Sequence, residues 1–328
     1  MTSHNRILFC TLGPSSLKPQ VIKRLDGLGV GMFRINLSHT SIDDLPSVVS
    51  LVQSHSSVPI CLDSEGAQVR TGKFATKFTY LRKGSLVEAC LCPVVGDSAR
   101  FNFTPARVVE LLKVGDLITL DFHEVVAEVV ESRSDRVLLM VLKSGRVGSN
   151  KACGVNREVD LPAISPKDRE AIRIGVAMSV DHFALSFAAA SNDVQLVREL
   201  IGPDGFLISK IESRRGISNL DAITCHSDAI LIDRGDLSRE VPPEQIPAHQ
   251  KDIIRRVKEI GRPVFVATNL VESMVKSRVP TLAEVNDIYN TLADGADGLV
   301  LAAETAVGKF PVECARFVMR VIAEFERG

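Results

Sequence analysis

The sequence predicts an α/β fold, a (β/α)8 TIM barrel interrupted by a small inserted β-barrel lid domain, on three observations. Eight short, near-continuous apolar runs recur along the chain, most of them separated by helical stretches. Such runs suit strands buried on both faces of a parallel sheet. Between the third and fourth runs lie roughly a hundred residues, far too many for a strand-to-helix connection. Setting that interval aside leaves about 240 residues, close to the ~250 of a typical barrel of this kind.

The eight runs occupy 7–10, 32–35, 60–62, 183–185, 206–208, 229–232, 264–266 and 299–301. Ser165-Pro166-Lys167-Asp168 carries a cap, a proline in the first turn and an acid near the positive helix end. Thr281 to Glu284 fits a capping box, with its helix running out near Gly295. Ile253, Ile254, Val257 and Ile260 form one apolar helix face, which Gly261 stops. In the long interval the texture turns strand-like at 117–122, 124–130 and 136–142, with Gly115-Asp116 and Ser144-Gly145 as turns. The expected division is a barrel from 1–71 and 160–328 with a β-rich insertion over 72–159.

Composition narrows the function classes. Lys plus Arg is 39 against 40 for Asp plus Glu, a net charge of -1, which excludes a chain-wide basic footprint for nucleic acid. No apolar run reaches the roughly 18 residues of a membrane span. The polar start, Met1 to Arg6, lacks a signal-peptide core. The seven scattered cysteines, Cys90 and Cys92 included, read as reduced and mostly buried thiols. A cytoplasmic protein is expected, with Ile, Val, Leu and Ala building a core that has no Trp.

Barrel chemistry sits where the strands end, so the polar residues closing each run carry the functional reading. Arg34, Asn36 and Ser38 share one face if that strand stays extended; Arg suits phosphate, and Asn and Ser offer neutral oxygens to a cation. Asp63, with Ser64 and Glu65 behind it, either holds a cation or caps the next turn. Lys210 and Glu212 project together; the alternative is a surface ion pair of little consequence. Glu212 and Asp236, on adjacent strands, fit a magnesium ion, and Gly235 lets an anion approach the backbone. Thr268 and Asn269 offer a hydroxyl and an amide to a substrate, and Glu304 closes the last run.

Taken in order, these segments resemble the pyruvate kinase family over nearly the whole chain. The motifs are Cys10-Thr-Leu-Gly-Pro14, Arg34-Ile-Asn-Leu-Ser-His39, Leu62-Asp63 with Arg70-Thr-Gly72, and Asp160-Leu-Pro-Ala-Ile-Ser165. Ser209-Lys-Ile-Glu212, Arg234-Gly-Asp-Leu237, Ala267-Thr268, Glu272-Ser-Met274 and Glu304-Thr-Ala306 follow. The resemblance implies a Mg2+- or Mn2+-dependent phosphotransferase acting between an enol phosphate, phosphoenolpyruvate or that of a related 2-oxo acid, and ADP or ATP. It implies that Lys210 stabilises the phosphoryl group and the enolate, that Arg34 helps bind the phosphoryl group and that Thr268 orients substrate. Glu212 and Asp236 would hold the divalent metal. Asn36, Ser38, Asp63 and the Ser64 carbonyl would form a monovalent-cation site of the K+ type. His39, Arg70 and Lys151 would face nucleotide, and Gly235, Asp236, Asp233, Asn269 and Thr268 the substrate.

The chain also departs from the family pattern. Asp233 stands where the family has Ala, Asn269 replaces Gln, Glu65 replaces Lys, and Ala302 replaces Ser. Gln68 occupies a position tied to potassium dependence, and Ala188 to Ala190 replace residues that are commonly basic. An added charge at Asp233 would repel a substrate carboxylate unless Arg234, a metal or a substrate hydroxyl meets it, or unless that side chain turns away to a neighbouring Arg. The sequence ends soon after the last barrel helix, so a member without the carboxyl-terminal regulatory domain is expected. Two other readings stay open: a metal-dependent 2-oxo-acid lyase or decarboxylase using enolate chemistry, and a non-catalytic phosphoenolpyruvate sensor. No nucleic-acid or membrane partner is expected, and the oligomeric state is left open, a homo-oligomer being one expectation.

Overall fold

The structure, a computed structural model, describes residues 6–121, 124–157 and 159–328. The chain forms two compact units, Met1–Gly66 with Ala163–Gly328, and Ala67–Pro162. In the first, eight parallel strands close a barrel: β1 (Ile7–Leu12), β2 (Met32–Asn36), β3 (Ile60–Asp63), β4 (His182–Leu185), β5 (Phe206–Ile211), β6 (Ala229–Asp233), β7 (Val264–Ala267) and β8 (Gly298–Leu301). Each pairs with its sequence neighbour, and β1 closes on β8 with Leu8 opposite Leu299. All eight apolar runs therefore lie in this barrel.

Strand periodicity sorts the side chains into two cores. Phe33 and Ile35 of β2, Leu207 and Ile211 of β5, and Ile230 and Ile232 of β6 face outward and pack in the large core that also contains the helices' buried apolar residues. Phe9, Met32, Cys61, Ala184, Ile208, Leu231 and Phe265 face inward and plug the barrel, with the Phe9 and Phe265 rings 4.7 Å apart. A barrel of this size is filled by its own side chains. The next inward position on each strand therefore sits on top of an apolar plug.

The helices start where local chemistry predicts. Ser165 caps Pro166–Ala177, and Thr281 caps Leu282–Ala293, both through reciprocal capping boxes with Asp168 and Glu284. Ile253, Ile254 and Val257 are the buried face of Ile246–Glu259, and Gly261 follows in the left-handed region at φ 81°.

In the second unit seven strands close another barrel, in the order Arg136–Lys143, Leu86–Cys90, Arg100–Thr104, Val69–Thr71, Ala152–Val155, Leu117–Leu120 and Val125–Ser132. The last residue of the predicted run 117–122, Phe122, lies outside the described residues, as does the amino-terminal stretch 1–5. Its core gathers Val87, Phe101, Phe103, Val129 and Leu139.

Two expectations need correction. Only Cys10, Cys61 and Cys314 are buried; Cys92 and Cys225 are exposed, and Cys90 and Cys153 half-buried. Strand β2 ends at Asn36, so Ser38 sits in the turn beyond it and donates its N–H to Asn36 Oδ1 at 2.8 Å. A short polar side chain that accepts from the backbone two residues on turns the chain, which breaks the alternation. Among the described residues no helix is long and apolar enough to cross a membrane.

Candidate active site

Stepping two residues along each strand from the plug gives the site. Above Phe9, Met32, Cys61, Ala184, Ile208 and Leu231 come Thr11, Arg34, Asp63, Ser186, Lys210 and Asp233. All six are buried. Side chains alternate across a strand, so an apolar layer is followed directly by a polar one on the same face.

That layer is a connected network. Arg34 Nε donates to Asp63 Oδ2 at 2.7 Å, its Nη2 reaches the same oxygen, and Nη1 donates to Thr11 Oγ1 at 3.1 Å. Lys210 Nζ lies 2.9 Å from Glu212 Oε1, 3.3 Å from Asp63 Oδ2 and 3.8 Å from Asp233 Oδ2, and donates to Ser186 Oγ at 2.9 Å. With Lys210 only 3% exposed, this is no surface ion pair. Burial disfavours the Lys210 charge, but the Asp63 and Glu212 carboxylates outweigh it and hold the ammonium well above its ordinary value. The same contest keeps Arg34 charged, and the Arg34 and Lys210 cations hold Asp63 below the usual carboxylate range despite its burial.

Glu212 is the exception. Burial first, and then the neighbouring Asp236, Asp233 and Asp63 charges, push its carboxyl up to about 8 against the pull of Lys210. Its Oε2 accepts the Phe187 N–H at 2.6 Å, while Oε1 is buried with no hydrogen bond among the described residues, only the Lys210 ammonium beside it. Oxygens of Glu212, Asp233 and Asp236 lie within 4.8 Å of one another. Three carboxyl groups this close, one with a buried oxygen approached only by the Lys210 ammonium, fit a divalent cation. Asp236 is not on a strand; it sits in the one-turn helix Arg234–Leu237 after β6, paired with Arg239 at 2.5 Å.

Thr268 and Asn269, just past β7, both have positive φ, 71° and 53°. For a β-branched residue such as Thr268 this conformation is strained, and it occurs at a turn held from outside. The Gly235 N–H donates to Thr268 Oγ1 at 2.8 Å; the hydroxyl in turn has Ala267 O at 2.5 Å and Asp233 Oδ1 at 3.2 Å as acceptors. Arg234 turns away from the cluster, to the Thr268 carbonyl and to Asp287 at 2.9 Å. Asp233 therefore does not pair with its neighbouring arginine.

The other predicted residues are placed as follows. Asn269 Nδ2 donates to Glu272 Oε2 at 2.7 Å. Asp63 Oδ1 accepts from Ser186 Oγ at 3.2 Å, and the Ser64 N–H donates to Ala184 O at 2.9 Å. His39 is exposed in the turn after β2. In the second unit Arg70 and Ala152 are cross-strand partners; Arg70 Nη1 donates to Asn150 O at 3.0 Å, and Lys151 Nζ lies 3.0 Å from Asp121. Glu304 is buried and accepts the Ala302 N–H at 2.8 Å.

The sequence reading missed Ser186, Thr11 and Asp168. The first two obey the strand-end rule that found Lys210, and Ser186 was legible as the polar residue closing the fourth run. Asp168 was read only as an acid near the positive end of its helix. Its buried carboxylate accepts from Ser165 N, and also from Glu65 N at 2.7 Å and Gly66 N at 3.2 Å, pinning the turn after β3 that carries Asp63. Gly66 has φ 71°, and a Cβ there would stand 2.5 Å from the Ser186 carbonyl oxygen, so only glycine fits. Asp168→Ala is expected to cost about 2–4 kcal/mol, a lost cap plus buried unpaired N–H groups. Denaturant midpoints check this, and Asp168→Asn, which keeps one acceptor oxygen, should lose less. An unchanged midpoint in the alanine variant would count against the clamp.

Comparisons with known proteins agree with this architecture. The family model described as the pyruvate kinase barrel domain matches residues 3–315. The chain is 34% identical over 329 residues to a pyruvate kinase of Thermotoga maritima, covering 98% of this chain and 71% of that one. It is 34% identical over 335 residues to one of Mycobacterium tuberculosis, covering 99% and 71%. A crystal structure of a pyruvate kinase from Cryptosporidium parvum superposes with a TM-score of 0.86 at 31% identity, over 98% of this chain and 69% of that one. With a parallel barrel carrying a buried lysine, arginine and carboxylate network at its strand ends, this chain belongs to the pyruvate kinase family and is a phosphotransferase.

Proposed function

We propose that the protein moves a phosphoryl group between an enol phosphate and a nucleotide, with a divalent cation. Towards the enol phosphate, the ketone gives up one C–H proton to solvent. Its enolate oxygen then forms a bond to the γ-phosphorus of ATP as the bond to the bridging oxygen breaks and ADP leaves. The reverse direction returns that proton to carbon and the phosphoryl group to ADP. Little covalent chemistry falls to the protein, whose work is to position reactants and stabilise charge.

The observation that carries this reading is Lys210, a buried ammonium fixed by Asp63, Glu212 and Ser186 above the apolar plug. It needs no reorganisation to meet charge that develops on the enolate and the phosphoryl oxygens. Arg34, held rigid by Asp63 and Thr11, binds the phosphoryl group. Thr268, Gly235, Asp236, Asp233 and Asn269 are assigned to the substrate, and His39, Arg70 and Lys151 to the nucleotide. Glu212 and Asp236 would hold Mg2+ or Mn2+, which when bound neutralises phosphoryl oxygens. Asn36, Ser38, Asp63 and the Ser64 carbonyl are assigned to a monovalent cation such as K+.

The test is a screen of ADP formation from ATP with several ketones, with and without Mg2+, alongside ATP formation from phosphoenolpyruvate and ADP. Metal-dependent, ketone-dependent transfer is expected. Turnover of a 2-oxo acid without any nucleotide would favour a lyase instead.

A further inference from the structure

Asp233 ends β6 with its carboxylate turned inward and is 4% exposed. No cation serves it alone. Two buried cations, Arg34 and Lys210, face three buried carboxyl groups, Asp63, Glu212 and Asp233. Arg34 is spent on Asp63, and Lys210 stands closer to Glu212 and Asp63 than to Asp233. Neutral donors hold Asp233 instead: the Thr268 hydroxyl at 3.2 Å and the Asp236 N–H at 3.4 Å, both on Oδ1. Gly235 N–H is already engaged by Thr268 Oγ1. The two backbone donors at this corner are therefore already taken within the protein, one by Thr268 and one by Asp233, while Oδ2 faces Lys210 beyond hydrogen-bond length.

We propose that Asp233 determines specificity by supplying, as part of the protein, the negative charge that an acceptor's carboxylate would bring. The acceptor is then an enolisable ketone whose arm beside Asp233 carries a neutral hydrogen-bond donor, such as a hydroxyl. This rests on the phosphotransferase reading above. The reacting oxygen must come within reach of Lys210 Nζ, itself 3.8 Å from Asp233 Oδ2. A ketone bound there can turn either arm towards Asp233, and the functionalised arm is assigned to that side. Like charges about 4 Å apart, at an effective dielectric near 20, disfavour binding on the order of 10³-fold on their own, and the Lys210 ammonium together with a divalent cation on Glu212 and Asp236 lowers this towards 10². A hydroxyl meets no such penalty and can donate to Oδ2.

Pyruvate and hydroxyacetone make the discriminating pair, because they differ only in a carboxylate against a hydroxymethyl group. Their kcat/KM for phosphoryl transfer from ATP is compared in the unmodified protein, Asp233→Ala and Asp233→Asn, with calorimetric binding of each ketone as a second readout. The unmodified protein should prefer hydroxyacetone, and both variants should move the ratio towards pyruvate by on the order of 10²-fold or more. Asp233→Asn keeps an acceptor for Thr268 and Asp236 while removing the charge, so the test survives if the alanine variant does not fold. A preference for pyruvate that neither variant moves overturns this inference and leaves the phosphotransferase reading standing. Absence of transfer to any ketone, and of ATP formation from phosphoenolpyruvate, overturns both.

Discussion

Lys210→Ala is expected to lower phosphoryl transfer by on the order of 10²–10³-fold, the usual cost of removing one preorganised donor to developing charge. Divalent-metal binding should change far less, because Glu212 and Asp236 remain. The variant also leaves carboxylates buried without their cation. Asp63 keeps Arg34, but Glu212 and Asp233 lose the ammonium that sat 2.9 and 3.8 Å away. Breaking a buried pair in this way typically costs about 3–5 kcal/mol. Glu212 has an escape, since a carboxyl already pushed up to about 8 takes a proton readily. The loss of stability should therefore be smaller at pH 6 than at pH 9. Single-turnover rates, metal calorimetry and denaturation of the same variant separate these effects. Undiminished turnover would remove Lys210 from the chemistry.

The second large effect concerns pH. Glu212 is raised from an ordinary value of 4.5 to about 8 by its burial and by the surrounding carboxylates. The metal-free folded protein then binds one more proton than the unfolded chain between those two values. By linkage its stability falls as pH rises through that window, by at most about 1.4 kcal/mol per unit, and this contribution levels off above pH 8. A metal needs the carboxylate, so binding must expel that proton. Affinity for Mg2+ or Mn2+ should weaken about tenfold for each unit below pH 8, close to 100-fold at pH 6. Calorimetric titration with Mn2+ in two buffers of different ionisation heat should count about one proton released at pH 7. Glu212→Gln should abolish the release and bind metal more weakly. An affinity constant from pH 6 to 8 would show that Glu212 is not the titrating ligand.

Much of this protein was determined by the sequence alone. Short runs buried on both faces specify a parallel barrel, because a strand with no polar face has to be covered twice. Alternation along such a run then dictates that Arg34, Lys210 and Asp233 point inward, two residues past Met32, Ile208 and Leu231. The cap at Ser165 and the capping box at Thr281 were equally legible, since the residues involved lie within one helical turn. What only the tertiary structure decided is how these groups pair. Asp63, Lys210 and Asp233 come from three strands, and no local pattern says that one ammonium will stand beside both of those carboxylates and Glu212. Whether Asp233 would join Arg234 or the cluster depended on Asp287, 53 residues further on, which takes the arginine instead. Asp168 looked like a first-turn acid because the cap, Ser165, is three residues away, whereas its second task, holding the Glu65 and Gly66 amides, spans about a hundred. Periodicity is a property of neighbouring residues, but the pairing of buried charges is settled by which strands closure of the barrel sets side by side.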